Sequence, residues 1–381
     1  MKKIFTLIIV AMALNLNAQQ FVSTTPQNRN VVIEEFTGIN CPNCPDGHKV
    51  ANNIVNAYPD RVWAVNIHAG SYAPMYYPNF NTTDGTAIYY GFNITGFPQA
   101  VVNRSTDYGL SRTDWATHTN QQIEQTAECN IGGQVIIDPE TRTATINVEI
   151  YYVSNSAAST NYLNVIMLED DIIGPQANGH TNPSQYINGQ YHHNHVFRDA
   201  VTSTWGDAIS PTTAGSLISK TYTYNIPETV GTPNGTSVNI NNVSFLVFVT
   251  EQYQGTPTRP ILNANELNSF LGTNQNIYPY ITGIIPNAVS CTNDKELNVT
   301  IANGGLQSIT SLDFEVTVDG GSAQDYSWQG NIPSYNVSTV NIPVTMTGGS
   351  HNVKVEIVKA NGSNFNTEET VTVNSVDMSI A

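Results

Sequence analysis

From residue 129 onward the chain alternates apolar and polar residues in steps of two, and only a β-strand has that period. Within Thr143–Val153 the residues Ala144, Ile146, Val148, Ile150 and Tyr152 share one face, and Asp138-Pro139-Glu140-Thr141 before them is a turn signal. Further strands are expected at Tyr162–Leu168, Lys220–Ile226 and Val243–Thr250. This pattern commits residues 128–271 to an antiparallel β-sandwich region.

A linker-like stretch, Gly272-Thr273-Asn274-Gln275-Asn276, separates that region from a second alternating one. There Leu297, Val299 and Ile301 alternate, Asn303-Gly304 marks a tight turn, and Phe314, Val316 and Val318 alternate again, with Val353, Val355 and Ile357 later. Turns at such short spacing predict a C-terminal immunoglobulin-like β-sandwich over residues 278–376.

Ahead of residue 128 the texture is mixed. Val31-Val32-Ile33-Glu34-Glu35-Phe36 reads as a buried strand. Val50, Ala51, Ile54 and Val55 line one face of a helix that Pro59 ends, and Arg61–Ile67 is a second strand. A short helix over Asp84–Gly91, a strand over Gln99–Asn103 and a helix within Ser111–Thr126 complete a β-α-β-α-β-α order. Residues 30–127 are therefore expected to form an α/β domain with helices covering a central sheet, giving a multidomain chain of α/β and all-β parts.

The first eighteen residues read as an address. Lys2 and Lys3 precede an apolar run from Ile4 to Leu14, and Leu16-Asn17-Ala18 offers a small residue for cleavage. A run of about eleven apolar residues is too short for a bilayer that needs roughly 20. The chain is expected in the periplasm, at the outer membrane or on the cell surface. With 14 Lys plus Arg against 30 Asp plus Glu, a formal charge of −16, it repels phosphate backbones, and nucleic acid is excluded as a partner.

Four cysteines occur, and two of them form Cys41-Pro42-Asn43-Cys44 between the first strand and the first helix. A helix N-terminus stabilises a thiolate through its unpaired N–H groups and its dipole. A second Cys one turn later could close and reopen a disulfide with little backbone movement. Cys41 is thus the candidate nucleophile and Cys44 the candidate resolving thiol. The same spacing suits a closed structural disulfide in an exported chain, and on the motif alone both readings stand. Glu35, on the strand leading to the motif, could act as a buried acid relaying protons to the deeper thiol. Pro98, in Gly96-Phe97-Pro98 before the third strand, would present the backbone of Phe97 to an extended partner if its peptide bond is cis.

Taken together, Glu35-Phe36, Cys41-Pro42-Asn43-Cys44, the strand at Val62–Ile67 and Gly96-Phe97-Pro98 resemble a thioredoxin fold. The resemblance covers roughly residues 30–127 and departs at Asn40, where thioredoxins usually carry Trp. It implies Cys41 as nucleophile, Cys44 as resolving thiol, Glu35 as buried acid and Pro98 as the cis-proline. More narrowly, Val32-Ile33-Glu34-Glu35-Phe36-Thr37-Gly38 running into the Cys motif is similar to the outer-membrane-protein-28-related family of Bacteroidetes. So are Tyr191-His192-His193-Asn194-His195-Val196-Phe197-Arg198 and Ile261-Leu262-Asn263-Ala264-Asn265-Glu266-Leu267. That likeness implies an exported or peripherally outer-membrane-associated protein.

His192, His193 and His195 could seat a metal only if further ligands converge, and the cluster is not assigned as a metal site. No cofactor is implied. Cys129 and Cys291 could pair and clamp the last segment back against the junction of the first two, or pack as free thiols. Two functions remain open. One is thiol-disulfide exchange with the thiols or disulfides of exported client proteins, carried by Cys41, Cys44, Glu35 and Pro98. The other is a non-catalytic outer-membrane or surface binding protein on the same scaffold, with a locked disulfide.

Overall fold

In the computed structural model, residues 20–251, 259–273, 275–287, 289–290 and 293–377 are described. The expected signal peptide and Cys291 lie outside them.

The first segment holds β1 (Val31–Thr37), α1 (Cys44–Ala57), β2 (Val62–His68), α2 (Thr83–Gly91), β3 (Gln99–Val102), β4 (Leu110–Ser111) and α3 (Trp115–Ile123). Next come β5 (Cys129–Asp138), β6 (Thr143–Tyr152), β7 (Asn161–Glu169), β8 (Ile172–Gly174), β9 (Tyr186–Ile187), β10 (Gln190–His193), β11 (Val196–Ala200), β12 (Asp207–Ile209) and β13 (Leu217–Asn225). The short pair β14 (Thr229–Val230) and β15 (Thr236–Ser237) leads to β16 (Val243–Thr250) and β17 (Ile261–Leu271).

These strands overturn the expected α/β domain. The molecule is mostly β, with three α-helices among the described residues, and the first segment has no sheet of its own. A single 12-stranded sheet runs β13-β6-β5-β17-β16-β7-β11-β2-β1-β3-β4, with β12 added on β7. The thioredoxin-like reading fails at the outer edge of β2. An independent domain would leave that edge free or cover it locally, but here β11 pairs with it through Val196 and Asn66. The Asn66 N–H donates to the His195 carbonyl at 2.7 Å, and its side-chain amide donates to the Asn194 carbonyl at 2.7 Å. The apolar side chains follow the same path. Val32, Phe36 and Ile67 of the first segment share one core with Ile166, Leu168, Phe197, Leu246 and Phe248 of the second.

Strand β1 is buried along its whole length because both its faces are covered. Val31 and Ile33 pack with Ala51, Ile54 and Trp115 under α1 and α3, while Val32 and Phe36 face the shared core. Glu34 falls on that second face, where Arg104 meets it in a buried two-pronged ion pair at 2.6 and 2.7 Å. The guanidinium also lies 5.4 Å from the Trp205 ring centroid and 5.0 Å from that of Phe248. This one side chain ties the first segment to the second.

Strand β17 lets the sheet fold over itself. It pairs antiparallel with β16 through Ile261–Leu267, then parallel with β5 through Asn268–Leu271. The strands β5 and β6 thereby close over β7 and β16 around Val135, Ile146, Val148, Val165, Phe245 and Val247. Cys129 packs in this core as a free thiol, and burial pushes its pKa up.

The last segment contains β18 (Pro279–Asn287), β19 (Val289–Ser290), β20 (Asp294–Asn303), β21 (Ile309–Val318), β22 (Gln324–Ile332), β23 (Val337–Thr345), β24 (Gly349–Ala360) and β25 (Ser363–Asp377). A three-stranded sheet, β18-β20-β23, and a five-stranded one, β19-β25-β24-β21-β22, enclose a common core of Val299, Ile301, Phe314, Val316, Val340 and Val355. This part is a β-sandwich, as the alternation predicts.

Candidate functional site

Strand β1 ends at Thr37, and the chain turns tightly to reach α1. Gly38 makes the turn possible, because a Cβ there would stand 2.3 Å from the Tyr72 backbone. The Asn40 N–H donates to the Tyr72 carbonyl at 3.1 Å, and the Cys41 N–H to the Gly38 carbonyl at 3.0 Å. Cys41 thus sits in the turn, and α1 begins at Cys44. The proline of the first helical turn is Pro45, where its missing N–H costs nothing, rather than Pro42.

Cys41 and Cys44 form a closed disulfide with Cα atoms 5.4 Å apart. Both residues are inaccessible, at 1% and 0% exposure. Residues 172–193, which lie between β7 and β11 and form the small sheet β8-β10-β9, dock on the turn that carries Cys41. Gln176 donates its amide to the Cys41 carbonyl at 3.0 Å, the Ala177 N–H donates to the Ile39 carbonyl at 2.8 Å, and Asn178 donates to the Pro42 carbonyl at 3.3 Å. The first half of the motif is thus pinned by hydrogen bonds to its backbone carbonyls, while Pro42 and Asn43 stay exposed.

Glu35 lies on the α1 side of β1, fully buried, with neither carboxylate oxygen hydrogen-bonded. Desolvation raises its pKa well above the ordinary carboxylate value. Its nearest cationic candidate is His48, with Nε2 at 3.8 Å. That imidazole hydrogen-bonds Thr37 Oγ1 at 2.9 Å and the Tyr191 hydroxyl at 2.7 Å, and burial lowers its pKa to about 3. Pro98 is buried, its peptide bond with Phe97 is cis, and it meets Glu35 at Gly47. A Cβ on Gly47 would stand 2.5 Å from Glu35 Oε1 and 2.7 Å from Pro98 Cγ. The fold therefore gathers Glu35 and Pro98 against the first turns of α1, the helix that opens at Cys44.

The histidine block divides. Tyr191 and His193 share the inward face of β10, whereas His192 points outward to Asp171. His195 leaves the strand with φ 55° and faces Asp170 at 3.4 Å. Because β10 ends at His193, His195 does not continue its strand face. Among the described residues no group of three or more His, Cys, Asp or Glu side chains is disposed to hold a metal ion. Sequence reasoning missed His48, His68 and Tyr191, which complete this buried polar seam. His48 lies one turn beyond Cys44 on α1, and that spacing was the signal available for it.

Residues 85–261 match the family model of outer membrane protein Omp28. The matched span begins within α2 and ends at the start of β17, so it takes in the cover of residues 172–193 but neither Glu35 nor the disulfide. Among solved structures, HBP35 of Porphyromonas gingivalis is similar at 16% identity and a TM-score of 0.49, over 92% of this chain and 99% of that one. Protein AGR_C_4864 from Agrobacterium tumefaciens aligns at 12% identity and a TM-score of 0.43, over 64% of this chain and 95% of that one. A domain of the outer membrane lipoprotein Omp28 from Porphyromonas gingivalis aligns at 17% identity and a TM-score of 0.24, over 38% of this chain and 90% of that one. No curated protein matches. The destination read from the sequence, export to the periplasm, outer membrane or cell surface, agrees with the family match.

Proposed function

We propose that the protein is a non-catalytic binding protein of the outer membrane or cell surface, in which Cys41–Cys44 is a structural bridge. The observation that carries this reading is the burial of both cysteines beneath residues 172–193. A thiol that attacks a partner's disulfide has to be reached in line by that partner, and Cys41 is covered. Holding the turn between β1 and α1 closed is what a buried bridge at this position does well. Exposed Tyr72, Tyr76, Tyr77 and Tyr90 supply the large, two-faced rings that protein contact surfaces favour.

A second reading, disulfide exchange with exported client proteins through Cys41 and Cys44, draws its support from Glu35, whose unpaired buried carboxyl suits a proton relay better than a staple requires. The reduction potential separates the two. Equilibrated with glutathione and analysed by mass, a staple should lie below about −300 mV, whereas a value of roughly −120 to −270 mV would overturn the structural reading.

A further inference from the structure

The cover over the disulfide is a polar excursion with little apolar anchorage. It leaves the main sheet after Glu169 and returns at Val196, two residues that pair with each other, so it can lift without parting β7 from β11. Its stems carry left-handed backbone at Asp171, φ 59°, and at His195, φ 55°. A small apolar cluster, Ile39, Phe80, Ile172 and Val196, lies at its base. The rest of its grip is made of neutral hydrogen bonds, those of Gln176, Ala177 and Asn178 to the motif, that of Tyr191 to His48 and that of Asn52 on α1 to Gln185 at 3.4 Å, with ring contacts of Tyr191 and His193 beside them.

Beneath the cover two imidazoles face each other across the seam. His193, on the inward face of β10, lies with its ring centroid 5.6 Å from that of His68 at the end of β2, and Phe80 packs 4.9 Å from each. No side chain hydrogen-bonds either ring nitrogen of His68, the Asn66 backbone being the one hydrogen-bonding group that favours its protonated form, and His193 has one partner, the Pro175 carbonyl at 3.2 Å from Nε2. A neutral imidazole tolerates such a site, but an imidazolium brings a second N–H and a full charge, and each ring has a backbone group beside it rather than an ion-paired carboxylate. The surrounding groups do not help. Arg198 on β11 repels a cation at His68, and its own charge is engaged by Glu169 at 2.9 Å. A charge on His48 of α1 would repel one on either ring, Glu35 on β1 lies beside His48, Tyr191 neighbours His193, and the outward His192 is held by Asp171.

The geometry points to an acid-released lid: protonation of His68 and His193 in their shared seam drives residues 172–193 off the Cys41–Cys44 bridge and exposes it. Each ring takes one proton from solvent, and no covalent bond changes. The inference rests on the reading of the bridge as a covered staple. Burial lowers His193 to about 4 and His68 well below its ordinary value. Both bind protons at about 6.5 once the lid is open, so the closed lid weakens as pH falls below that value. One such histidine multiplies the open population on the order of 50-fold between about pH 7.5 and pH 4.5.

The test is reduction of the full chain's disulfide by a water-soluble phosphine at about pH 7.5 and about pH 4.5, each rate divided by that of a Cys-Pro-Asn-Cys peptide disulfide. The ratio should rise at least about tenfold on acidification, and by a clearly smaller factor in His68→Gln/His193→Gln, where His48 under Tyr191 is the buried imidazole left to gain a proton on opening. A ratio that does not change with pH in the native chain overturns the lid and leaves the staple standing. A ratio already near one at neutral pH removes the covered staple itself. Should the double variant fail to fold, amide hydrogen exchange on the native chain decides. Selective loss of protection in 172–193 on acidification, with Phe245–Val249 still protected, supports the lid, and simultaneous loss in both overturns it.

Discussion

The ion pair between Glu34 and Arg104 offers a direct test of the claim that the first segment and the central strands form one folding unit. Both side chains are almost completely inaccessible, and the guanidinium engages the carboxylate through two nitrogens at 2.6 and 2.7 Å. Arg104→Met leaves the Glu34 carboxylate buried without a partner, which costs about 3–5 kcal/mol. For a unit of this size that corresponds to a fall in Tm of roughly 6–20 °C. Glu34→Gln combined with Arg104→Met removes the stranded charge and should recover at least about 1.5 kcal/mol of the loss. The assay is urea denaturation followed by far-ultraviolet circular dichroism and by Trp fluorescence, since Trp205 lies against the guanidinium. Because Arg104 also touches Phe248 on β16, both probes should move together for all variants. A loss under about 1 kcal/mol, or a double variant as unstable as the sum of the singles, refutes the energetic argument. Separate transitions for the two probes refute the single unit.

Two further perturbations probe the seam. Gly47→Ala places a Cβ against Glu35 Oε1 and the Pro98 ring, so overpacking should cost about 1–3 kcal/mol in urea unfolding, and an unchanged midpoint would show that α1 shifts freely. Glu35 keeps its proton in the fold at pH values where the unfolded carboxyl, near 4.5, has lost it. The folded state therefore binds more protons, and the stability this group contributes is full below 4.5 and falls as pH rises towards the folded value. Glu35→Gln should gain on the native chain by up to about 1.4 kcal/mol per pH unit above that point and match it below about pH 4, and equal slopes between about pH 5 and pH 7 would refute the buried acid.

What was legible in the sequence follows from how far each interaction reaches along the chain. The strand expected at Val243–Thr250 is observed with those bounds, and Thr143–Tyr152 differs from expectation by one residue, because one-sided burial writes itself as alternation. Pro59 and the apolar face of Val50, Ala51, Ile54 and Val55 located α1 for the same reason. The separation of an α/β domain from the rest was misread because the joint between them is long-range. Val196 and Asn66 pair across 130 positions, and neither residue carries a local mark of it. Arg104 is equally mute, since nothing around it announces a partner on β1.

The site shows the same division, and its unread half decides the functional conclusion. The pairing of Cys41 with Cys44 was readable as a possibility from spacing alone. Its accessibility was not, because accessibility depends on where an excursion from another strand comes to rest. Val196 is paired at once with Glu169 on β7 and Asn66 on β2, and Asn66 is in turn level with Glu35 on β1. Both stems of the excursion therefore emerge beside the last residues of β1, and twenty-odd residues of polar chain have to be accommodated there (172–193). Once β11 joins β2, covering the turn that carries the cysteines is the nearby way for Gln176, Ala177 and Asn178 to satisfy their amides while shielding Ile39 and Phe80. The same strand pairing that removes the independent α/β domain thus also buries the disulfide, so a substitution that frees β11 from β2 should expose Cys41 and Cys44 to alkylation after reduction more readily than one confined to α1.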